Sequence, residues 1–424
     1  MKPTTGAAGG AHPAEGIAVT TFFRKYFMEG QQLTGKAKEA QALANKEKPF
    51  LERYRRPIGL FVPALFFHII WWSYMADQDL WHLFKERSGG GNIPRYYMSI
   101  TMMFGSMVAG STSEGGASVA FPVMTLGFDI KPKVARDFSF MIQSVGMTSA
   151  AFTIIFMKVR TEIHSLVFCT LGGVAGILFG LEEVAPRLKP AESKMYFVTI
   201  WFTFAFSLYW LNRNHGRRVF DEIPDFWEKK HGIYWKPLVL LGFGFLGGIF
   251  SAMSGSGIDI CSFSVLTLMF RVSEKVATPT SVVLMGVNTC VGFLYREFYM
   301  GGVENDSWGF FAVCVPIVVI GAPLGSVIGS HFHRLVLASM VYVTDTVQLI
   351  AALYIVKPWV SSKRVSDPLH LSLSSLSILG AGAVFFKLME ISGRKLLAIQ
   401  EERIATREKM QLSEMKDAKT IEMN

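Results

Sequence analysis

Long apolar segments separated by short polar loops define the organisation of this chain. One membrane-spanning helix needs roughly 20 predominantly apolar residues. Together with two longer apolar runs, the segments of this kind predict an all-α, polytopic membrane protein with about 8 to 10 spans. They occupy 57–76, 138–156, 163–181, 195–211, 279–294, 308–329, 336–356 and 369–389.

The two longer runs, 97–128 and 237–270, differ from the others because they contain clusters of Gly, Ser and Thr. The first run also contains an acid, Glu114. Gly costs roughly 1 kcal/mol relative to Ala in a helix, and Ser and Thr hydroxyls compete for the backbone. Each run is too long for one span and too short for two. We therefore expect broken or re-entrant helices, joined by unwound backbone that lines a cavity or is buried in protein.

The two Gly-rich runs are copies of one another. Residues 105–122 align without gaps with 247–264, at an offset of 142 residues. The alignment continues outside the Gly clusters, where Lys133-Val-Ala135 pairs with Lys275-Val-Ala277. The sequence therefore predicts two homologous halves joined by a hydrophilic linker. These parts are 97–211, 237–356 and, for the linker, 212–236.

The topology of the halves depends on how the Gly-rich runs are counted. If each run crosses the membrane, every half makes an even number of crossings and the repeats are parallel. If each run turns back, the number is odd and the repeats are inverted. With the N-terminus inside, only the second arrangement places the basic linker 212–236 inside, as the positive-inside rule prefers. We therefore favour inverted repeats.

The segments outside the two halves are assigned by composition. The N-terminal segment lacks the early apolar core of a secretory signal peptide, and we expect a cytoplasmic tail. Within it, Gly16–Met28 is either a short amphipathic helix on the bilayer surface or part of a disordered tail. The charged C-terminal segment is either a solvent-exposed helix, which could form a coiled coil, or a fraying tail. The predicted parts are 1–56 for the N-terminal tail, 57–96 for the first span and loop, 357–389 for an extra span and 390–424 for the charged tail.

Composition agrees with a membrane protein and excludes several other classes. The chain of 424 residues is 50% hydrophobic, with mean hydropathy +0.33 and formal net charge +9. Its basic residues lie in tails and loops, where they set topology and meet lipid headgroups, so we expect no nucleic-acid binding. Histidines and cysteines show no spacing typical of metal ligands, so the sequence predicts no metal site and no cofactor. The cysteines lie in apolar segments and are interpreted as small buried hydrophobes: Cys169, Cys261, Cys290 and Cys314.

The Gly-rich turns are the candidate substrate site. Free backbone N–H groups and helix N-termini bind anions, and transporters place such helix ends at the interface between their repeats. Hydroxyl and amide side chains on the helix after the second run add further polar groups. The alternative is that the glycines only let helices pack closely. The candidate substrate-binding residues are Ser111, Thr112, Ser113, Gly115, Gly116, Ser254, Gly255, Ser256, Gly257, Thr280, Ser281 and Asn288.

Three acids within apolar segments are candidates for proton coupling: Asp345, Glu114 and Asp259. A charge near the middle of a span is costly, so an intramembrane acid is a functional candidate by default. Burial favours the protonated form of Asp345, and a transported proton is the simplest use of such a group. The alternative is a protonated or internally paired carboxyl that fixes packing. Asp137, by contrast, is interpreted as a helix cap because it lies near a predicted helix start.

The sequence places no Arg or Lys in the middle of an apolar segment between Met98 and Val356. Arg136, Arg271 and Arg296 all lie near segment ends. We therefore expect hydroxyls and amides, rather than a buried Arg, to hold an anion at several sites of modest affinity.

The Gly-rich elements resemble those of the TauE/SafE family of sulfite and organosulfonate transporters. Gly115-Gly116-Ala117, followed by four residues and Pro122, is similar to the end of that family's GxGGGxxxxP motif, with Ala for its last Gly. Ala277-Thr-Pro-Thr-Ser281 and Gly321-Ala-Pro-Leu-Gly325 resemble its Thr-Ser signature and its later Gly-rich helix. The resemblance implies a membrane transporter of a small anion such as sulfite, a sulfonate or a related organic anion.

Other functions are weaker interpretations of the same sequence. Ala252-Met-Ser-Gly255 is one residue away from the GxSG motif of intramembrane serine proteases. Such an enzyme needs a base beside its serine, and no histidine lies within the apolar part of a later span, so no enzyme is predicted. A non-transporting receptor or scaffold, and a transporter of a cation or a neutral solute, stay open. The expected partners are a small anion and the lipid bilayer, whereas the oligomeric state and the membrane of residence stay open.

Overall fold

The computed structural model describes residues 50–88, 92–213, 219–230, 232–363 and 365–422. The described chain is mostly helical, as the apolar pattern predicted. The expected amphipathic helix at Gly16–Met28 lies outside the described residues. Two short antiparallel strand pairs lie in polar loops, β1 (Arg87–Ser88) with β2 (Ile93–Pro94) and β3 (Lys229–Lys230) with β4 (Ile233–Tyr234).

The helices follow the apolar segments of the sequence. A short helix α1 (Phe50–Arg53) precedes the first long helix α2 (Arg55–Asp77). The first half contains α3 (Tyr96–Ser111), α4 (Ala117–Pro122), α5 (Pro132–Phe156), α6 (Ile163–Phe179) and α7 (Pro190–Arg213). The second half contains α8 (Trp235–Ser254), α9 (Ile258–Ser264), α10 (Glu274–Phe298), α11 (Asn305–His331) and α12 (Arg334–Val356), and α13 (Pro368–Glu422) follows it.

Both Gly-rich runs are broken helices, as predicted. The first breaks between α3 and α4, and the second between α8 and α9. Each short second helix continues into a π-helical turn, Val123–Gly127 after α4 and Val265–Met269 after α9. Because π-helical turns are rare, their occurrence at equivalent places in the two runs agrees with an internal duplication.

The first broken run returns to the face of the protein from which it starts. Arg95, just before α3, pairs with Asp306 at 2.9 Å, and Lys133, after the run, pairs with Glu304 at 3.2 Å. Asp306 and Glu304 are near neighbours in the chain, so both ends of the run lie together. We call this side of the protein face 1.

The second broken run returns to the other side, which we call face 2. The first residue of α8, Trp235, packs on Phe270 with 6.0 Å between ring centroids. Phe220 of the linker donates its N–H to the Arg271 carbonyl at 2.9 Å, just after the run. Helix α5 starts at face 1 and leads to Arg160, which reaches the same linker. The two broken runs therefore enter from opposite faces and meet in the interior.

The equivalent helices α5 and α10 cross each other antiparallel. Asp137 near the start of α5 binds Arg296 near the end of α10 at 2.9 Å. Thr148 and Cys290, which occupy equivalent positions in the two halves, meet at 3.7 Å. Residues that contact their own equivalents lie close to a two-fold symmetry axis. The antiparallel crossing supports the prediction of inverted repeats, which stays a prediction for the protein in a membrane.

Small residues let helices from different halves pack at close range. A Cβ atom added to Gly110 in α3 would overlap the Ala322 carbonyl in α11, and one on Gly325 would overlap the Met107 carbonyl. The same holds between α6 and α8, where Gly172 lies against the Leu241 carbonyl. Close backbone contact through small residues is the common mode of helix association in membranes. The later Gly-rich element of the sequence thus has a packing role against α3.

The last part of the chain is not divided as the sequence predicted. The sequence predicted a span at 369–389 followed by a separate charged segment, but one continuous helix covers Pro368–Glu422. Strong helix formers continue past the apolar part, so the helix has no reason to stop there. Gly393 of α13 packs against the Leu268 carbonyl in the second broken run. The C-terminal helix therefore contacts the re-entrant element directly.

Ion pairs hold the polar part of α13 against the linker at face 2. Arg403 donates hydrogen bonds to Glu228 at 2.5 Å and to Asp225 at 3.4 Å. The bond from Arg403 lowers the pKa of the Glu228 carboxyl below its ordinary value. The carboxylate therefore stays charged at neutral pH and keeps this contact available.

Eight of the described helices are long and apolar enough to cross a membrane. This number lies within the predicted range, and it agrees with an integral, multi-pass membrane protein. The long apolar helices expose many large hydrophobic side chains, such as Phe61, Phe104 and Tyr354. Exposed apolar surface of this extent suits contact with lipid rather than water.

Face 2 is expected to be cytoplasmic, because it carries the basic linker 212–236. The test replaces one exposed residue at each face with a single cysteine. Trp227 in the linker is 58% exposed, and Tyr299 at face 1 is 79% exposed. In intact cells, a membrane-impermeant thiol reagent should label Tyr299→Cys, and label Trp227→Cys only after permeabilisation. The reverse pattern would contradict this orientation, and equal labelling of both would contradict opposite faces.

Candidate functional site

The two Gly-rich turns meet in the interior of the protein. The Ser256 hydroxyl in the second turn donates a hydrogen bond of 3.3 Å to the Glu114 carbonyl in the first. These residues occupy equivalent positions in the two copies, so their contact lies near the symmetry axis of the halves. Both residues are fully buried. The turns therefore face each other, as the duplication led us to expect.

One amide side chain, Gln143 in α5, connects the two turns. Its Oε1 accepts a hydrogen bond from the Gly116 N–H at 3.2 Å, and its Nε2 donates to the Gly255 carbonyl at 2.7 Å. The equivalent residue in the second half is Met285, so the bridge is made once. From the sequence, Gln143 is one of the polar residues that can face the turn from the helix after the first Gly cluster, but it was not among the predicted substrate-binding residues.

Two glycines have backbone conformations that other residues rarely adopt. Gly115 has φ +73° and Gly255 has φ +90°, in the left-handed region. A Cβ atom on Gly115 would lie 2.7 Å from the Ser256 hydroxyl, and one on Gly255 would lie 2.9 Å from the Arg136 carbonyl. Both turns thus need glycine for conformation and for space.

Other predicted substrate-binding groups lie near the turns but are occupied in this conformation. The Gly116 N–H binds Gln143, and the Gly255 N–H donates to the Ser251 carbonyl at 2.6 Å. A Cβ atom on Gly257 would lie 2.5 Å from that of Phe250, so this glycine also packs tightly. The predicted hydroxyl groups bond to nearby backbone or are buried in the first turn: Ser111, Thr112, Ser113 and Ser254.

The structure places two of the predicted residues away from the turns. The Thr280 hydroxyl accepts a hydrogen bond from the Glu162 N–H at 2.9 Å, near face 2, and the Ser281 hydroxyl donates to the Thr278 carbonyl at 2.8 Å. Asn288 lies closer to the site, because its Oδ1 packs near Ile258 at the start of α9 beside Gly173. That buried oxygen has no partner among the described residues.

Two of the predicted intramembrane acids form a pair. The side chains of Glu114 in the first turn and Asp345 in α12 lie close enough to interact electrostatically. Both residues are buried, and none of their carboxyl oxygens accepts a hydrogen bond from the described part of the chain. Two adjacent carboxylates without a counter-charge repel each other, whereas a proton between them gives one hydrogen bond. The geometry therefore suits a pair that binds a proton or another small cation.

The third acid, Asp259, belongs to the second turn. Its Oδ2 accepts a hydrogen bond of 2.7 Å from Ser256, whose hydroxyl also lies against the Glu114 carbonyl. One turn along α12 from Asp345, Gln348 donates its amide to the Ser118 carbonyl at 2.8 Å. The acids are thus in contact with both turns, and α12 is tied to the first.

A cavity of about 1310 Å³ opens at face 2 and reaches the end of α3. Gly110 and Ser111, immediately before the first turn, line it together with Ser326 and Gly329 of α11. Basic side chains outnumber acidic ones at its wall, which favours anions. The charged lining residues are Glu52, Arg53, Arg55, Arg56, Lys158, Asp221, Glu274 and Lys275.

Asp137 does not cap a helix, so that interpretation was wrong. It lies in the second turn of α5, where its Oδ1 accepts two hydrogen bonds from Arg136 at 2.9 and 2.7 Å. Arg296 of α10 reaches the same carboxylate at 2.9 Å. All three residues are buried. The sequence placed the two Arg residues at segment ends correctly, but it gave no sign that they share one acid.

The chain was compared with known protein families, curated proteins and solved structures. The family model described as Sulfite exporter TauE/SafE matches residues 98–354, which include both Gly-rich turns and the paired acids. No curated protein and no solved structure matches the chain.

Proposed function

The chain belongs to the TauE/SafE family of sulfite exporters, and from this membership we propose that it moves sulfite or an organosulfonate across its membrane. The family consists of membrane transporters of sulfur anions rather than enzymes, which removes the protease interpretation. The finer choice of substrate rests on the chemistry of the turns.

The observation that carries the proposal is the contact between the two re-entrant turns. Such turns present backbone N–H groups at the end of a broken helix, and transporters use them for anionic groups. Here the Gly116 N–H is occupied by the Gln143 side chain. We propose that an oxyanion takes the place of the Gln143 oxygen, and that the residues around both turns bind it. An oxygen-for-oxygen exchange keeps the N–H satisfied, so a sulfur oxyanion fits this position.

Access to this site is proposed to run through the cavity at face 2. Its floor includes Ser111, next to the first turn, and its wall carries the excess of basic side chains. A basic wall raises the local concentration of anions without binding them tightly. Release toward face 2 remains fast because the anion meets hydroxyls and amides rather than a buried Arg at the turns.

Proton coupling through the Glu114–Asp345 pair is the second part of the proposal. The pair lies between the first turn and α12, and Glu114 is itself a turn residue. A change in its proton occupancy would change the charge beside the anion site. The absence of hydrogen-bond donors to these oxygens among the described residues supports this role. A sodium ion bound by the same oxygens is the competing interpretation.

Transport in proteoliposomes tests the substrate and the coupling ion together. Purified protein should take up radiolabelled sulfite or an organosulfonate above protein-free liposomes, and an excess of either unlabelled anion on the same side should compete. A pH gradient should change the initial rate, whereas replacing sodium with choline should not. Uptake of neither anion would contradict the substrate class. A response to sodium alone would keep the substrate but contradict coupling to protons.

A further inference from the structure

The two faces of the protein differ at positions that the duplication makes equivalent. At face 2, the open cavity is lined by Ile154, Thr278 and Val282. Their equivalents at face 1 are Arg296, Arg136 and Phe140, which are buried. One sequence pattern therefore surrounds an open path at one face and a closed path at the other.

Charged and apolar contacts close face 1. Asp137 accepts hydrogen bonds from both Arg136 and Arg296, so α5 and α10 are joined by one carboxylate. Arg296 also donates to the carbonyls of Met300 and Gly302, which follow α10. Next to this cluster, a small apolar core fills the place at face 1 that corresponds to the open cavity at face 2. It contains Phe140, Ile177, Leu181 and Ala252, with Phe293, Tyr295 and Met300 packed against it.

The second turn lies directly beneath these contacts. A Cβ atom on Gly255 would lie 2.9 Å from the Arg136 carbonyl and 3.3 Å from the Phe140 N–H nitrogen. Ser139, between them, lies closest to the same glycine. An anion that approaches the second turn from face 1 therefore meets the Arg136–Asp137–Arg296 cluster first.

We infer that Arg136, Asp137 and Arg296 form the gate of the transport path at face 1, and that a transported oxyanion binds the two guanidinium groups when the gate opens. Two guanidiniums and one carboxylate leave an excess positive charge in the closed gate. Arg binds carboxylates and oxyanions through the same paired N–H geometry. Asp137 thus occupies, in the closed gate, the position that the anion takes in the open one.

This inference rests on the proposed function, because a gate has a purpose only in a transporter. It also explains why the chain keeps buried charges at a place where the other half has Thr278 and Ile154. Buried ion pairs contribute little net stability compared with apolar packing, so another use for them is expected. A bond that forms and breaks once in each transport cycle is such a use.

The test measures the accessibility of one cysteine on each side of the gate. In protein with its native cysteines replaced, Ser139→Cys reports access from face 1, and Thr278→Cys reports access to the cavity from face 2. With Asp137 intact, an impermeant thiol reagent should label only Thr278→Cys. Asp137→Asn should speed the labelling of Ser139→Cys about tenfold and slow that of Thr278→Cys, because the populations of the two states shift.

A matched control and a second variant keep the result specific. Asp306→Asn removes a carboxylate from Arg95 at the same face, outside the gate, and should change neither rate. Arg296→Gln leaves the neutral Arg136–Asp137 pair, so it should also open face 1. The two gate variants should then move KM for anion uptake from face 1 in opposite directions, lower in Asp137→Asn and higher in Arg296→Gln.

Each alternative outcome contradicts one part of the gate inference. Protection of Ser139→Cys in both variants would mean that the cluster is not a gate. Faster labelling of both cysteines would mean that the cluster only stabilises the fold. Opening with the same KM change in both variants would remove the guanidiniums from anion binding. Labelling requires no substrate. The labelling result can therefore contradict the gate inference while uptake of sulfite supports the proposed function, or the reverse.

Discussion

Gly115→Ala and Gly255→Ala are expected to slow anion transport severely while the protein still reaches the membrane. Both glycines have positive φ, and a side chain in that region costs ~1–2 kcal/mol. The added methyl groups also overlap neighbouring atoms, the Gln143 side chain beside Gly115 and the Arg136 carbonyl beside Gly255. Because the turns touch each other, displacement of one moves the other, and a drop in initial uptake rate of about tenfold or more is expected.

Gly127→Ala is the matched control for this prediction. Gly127 belongs to the same broken run but has no positive φ, and the nearest atom to an added Cβ would be 4.0 Å away on Val123. An alanine there makes ordinary contacts, so uptake per molecule should stay near that of the parent. Uptake is normalised to the protein recovered in the membrane, and detergent size-exclusion profiles report folding. Normal transport in Gly115→Ala and Gly255→Ala would show that the turn conformation is not needed for function.

The broken helices were predictable because their cause is local. A cluster of glycines and hydroxyl residues disfavours a continuous helix wherever it occurs. The ungapped repeat then showed that the break occurs twice, although Gly115 aligns with Gly257 and Gly255 aligns with Ser113. The return of each run to its starting face could be favoured only through the basic linker. In the structure it follows from contacts such as Lys133 with Glu304.

The composition of the site was less predictable because its groups are distant in sequence. Glu114 and Asp345 were both selected as buried acids, but no pattern along the chain indicates that they touch. Asp137 was misread because an acid near a helix start is usually a cap, and one of its two partners, Arg296, is 159 residues away. Tertiary packing, rather than propensity, decides such pairs.

The acids depart from the symmetry that governs the turns. The second-half equivalent of Glu114 is Ser256, the first-half equivalent of Asp345 is Thr203, and that of Asp259 is Ala117. Each acid therefore occurs in one half alone, although the backbone around both turns is repeated. Anion binding by backbone groups can be shared by the halves, whereas the carboxyl pair is built once. We expect a change at this pair to affect coupling more than substrate binding.

Asp345→Asn is expected to remove the response of transport to a pH gradient while exchange of labelled for unlabelled anion continues. Asn matches the size of a protonated Asp and cannot release a proton, so Glu114 would keep a neutral partner throughout the cycle. The pair is enclosed and makes no hydrogen bond with other described residues, which makes a local effect the expected one. In this variant, uptake in the presence of the pH gradient should be no faster than uptake without it.

The decisive measurement varies the gradient while the pH on the substrate side is held constant, so that the charge of the substrate does not change. Thr344→Val is the matched control, because Thr344 adjoins Asp345 in α12 and its hydroxyl bonds only to the Met340 carbonyl among the described residues. This control should respond to the gradient as the parent does. Glu114→Gln should resemble Asp345→Asn if the two carboxyls bind one proton together. If Asp345→Asn keeps the full response, the proton is carried elsewhere, and the buried pair serves only to hold α12 against the first turn.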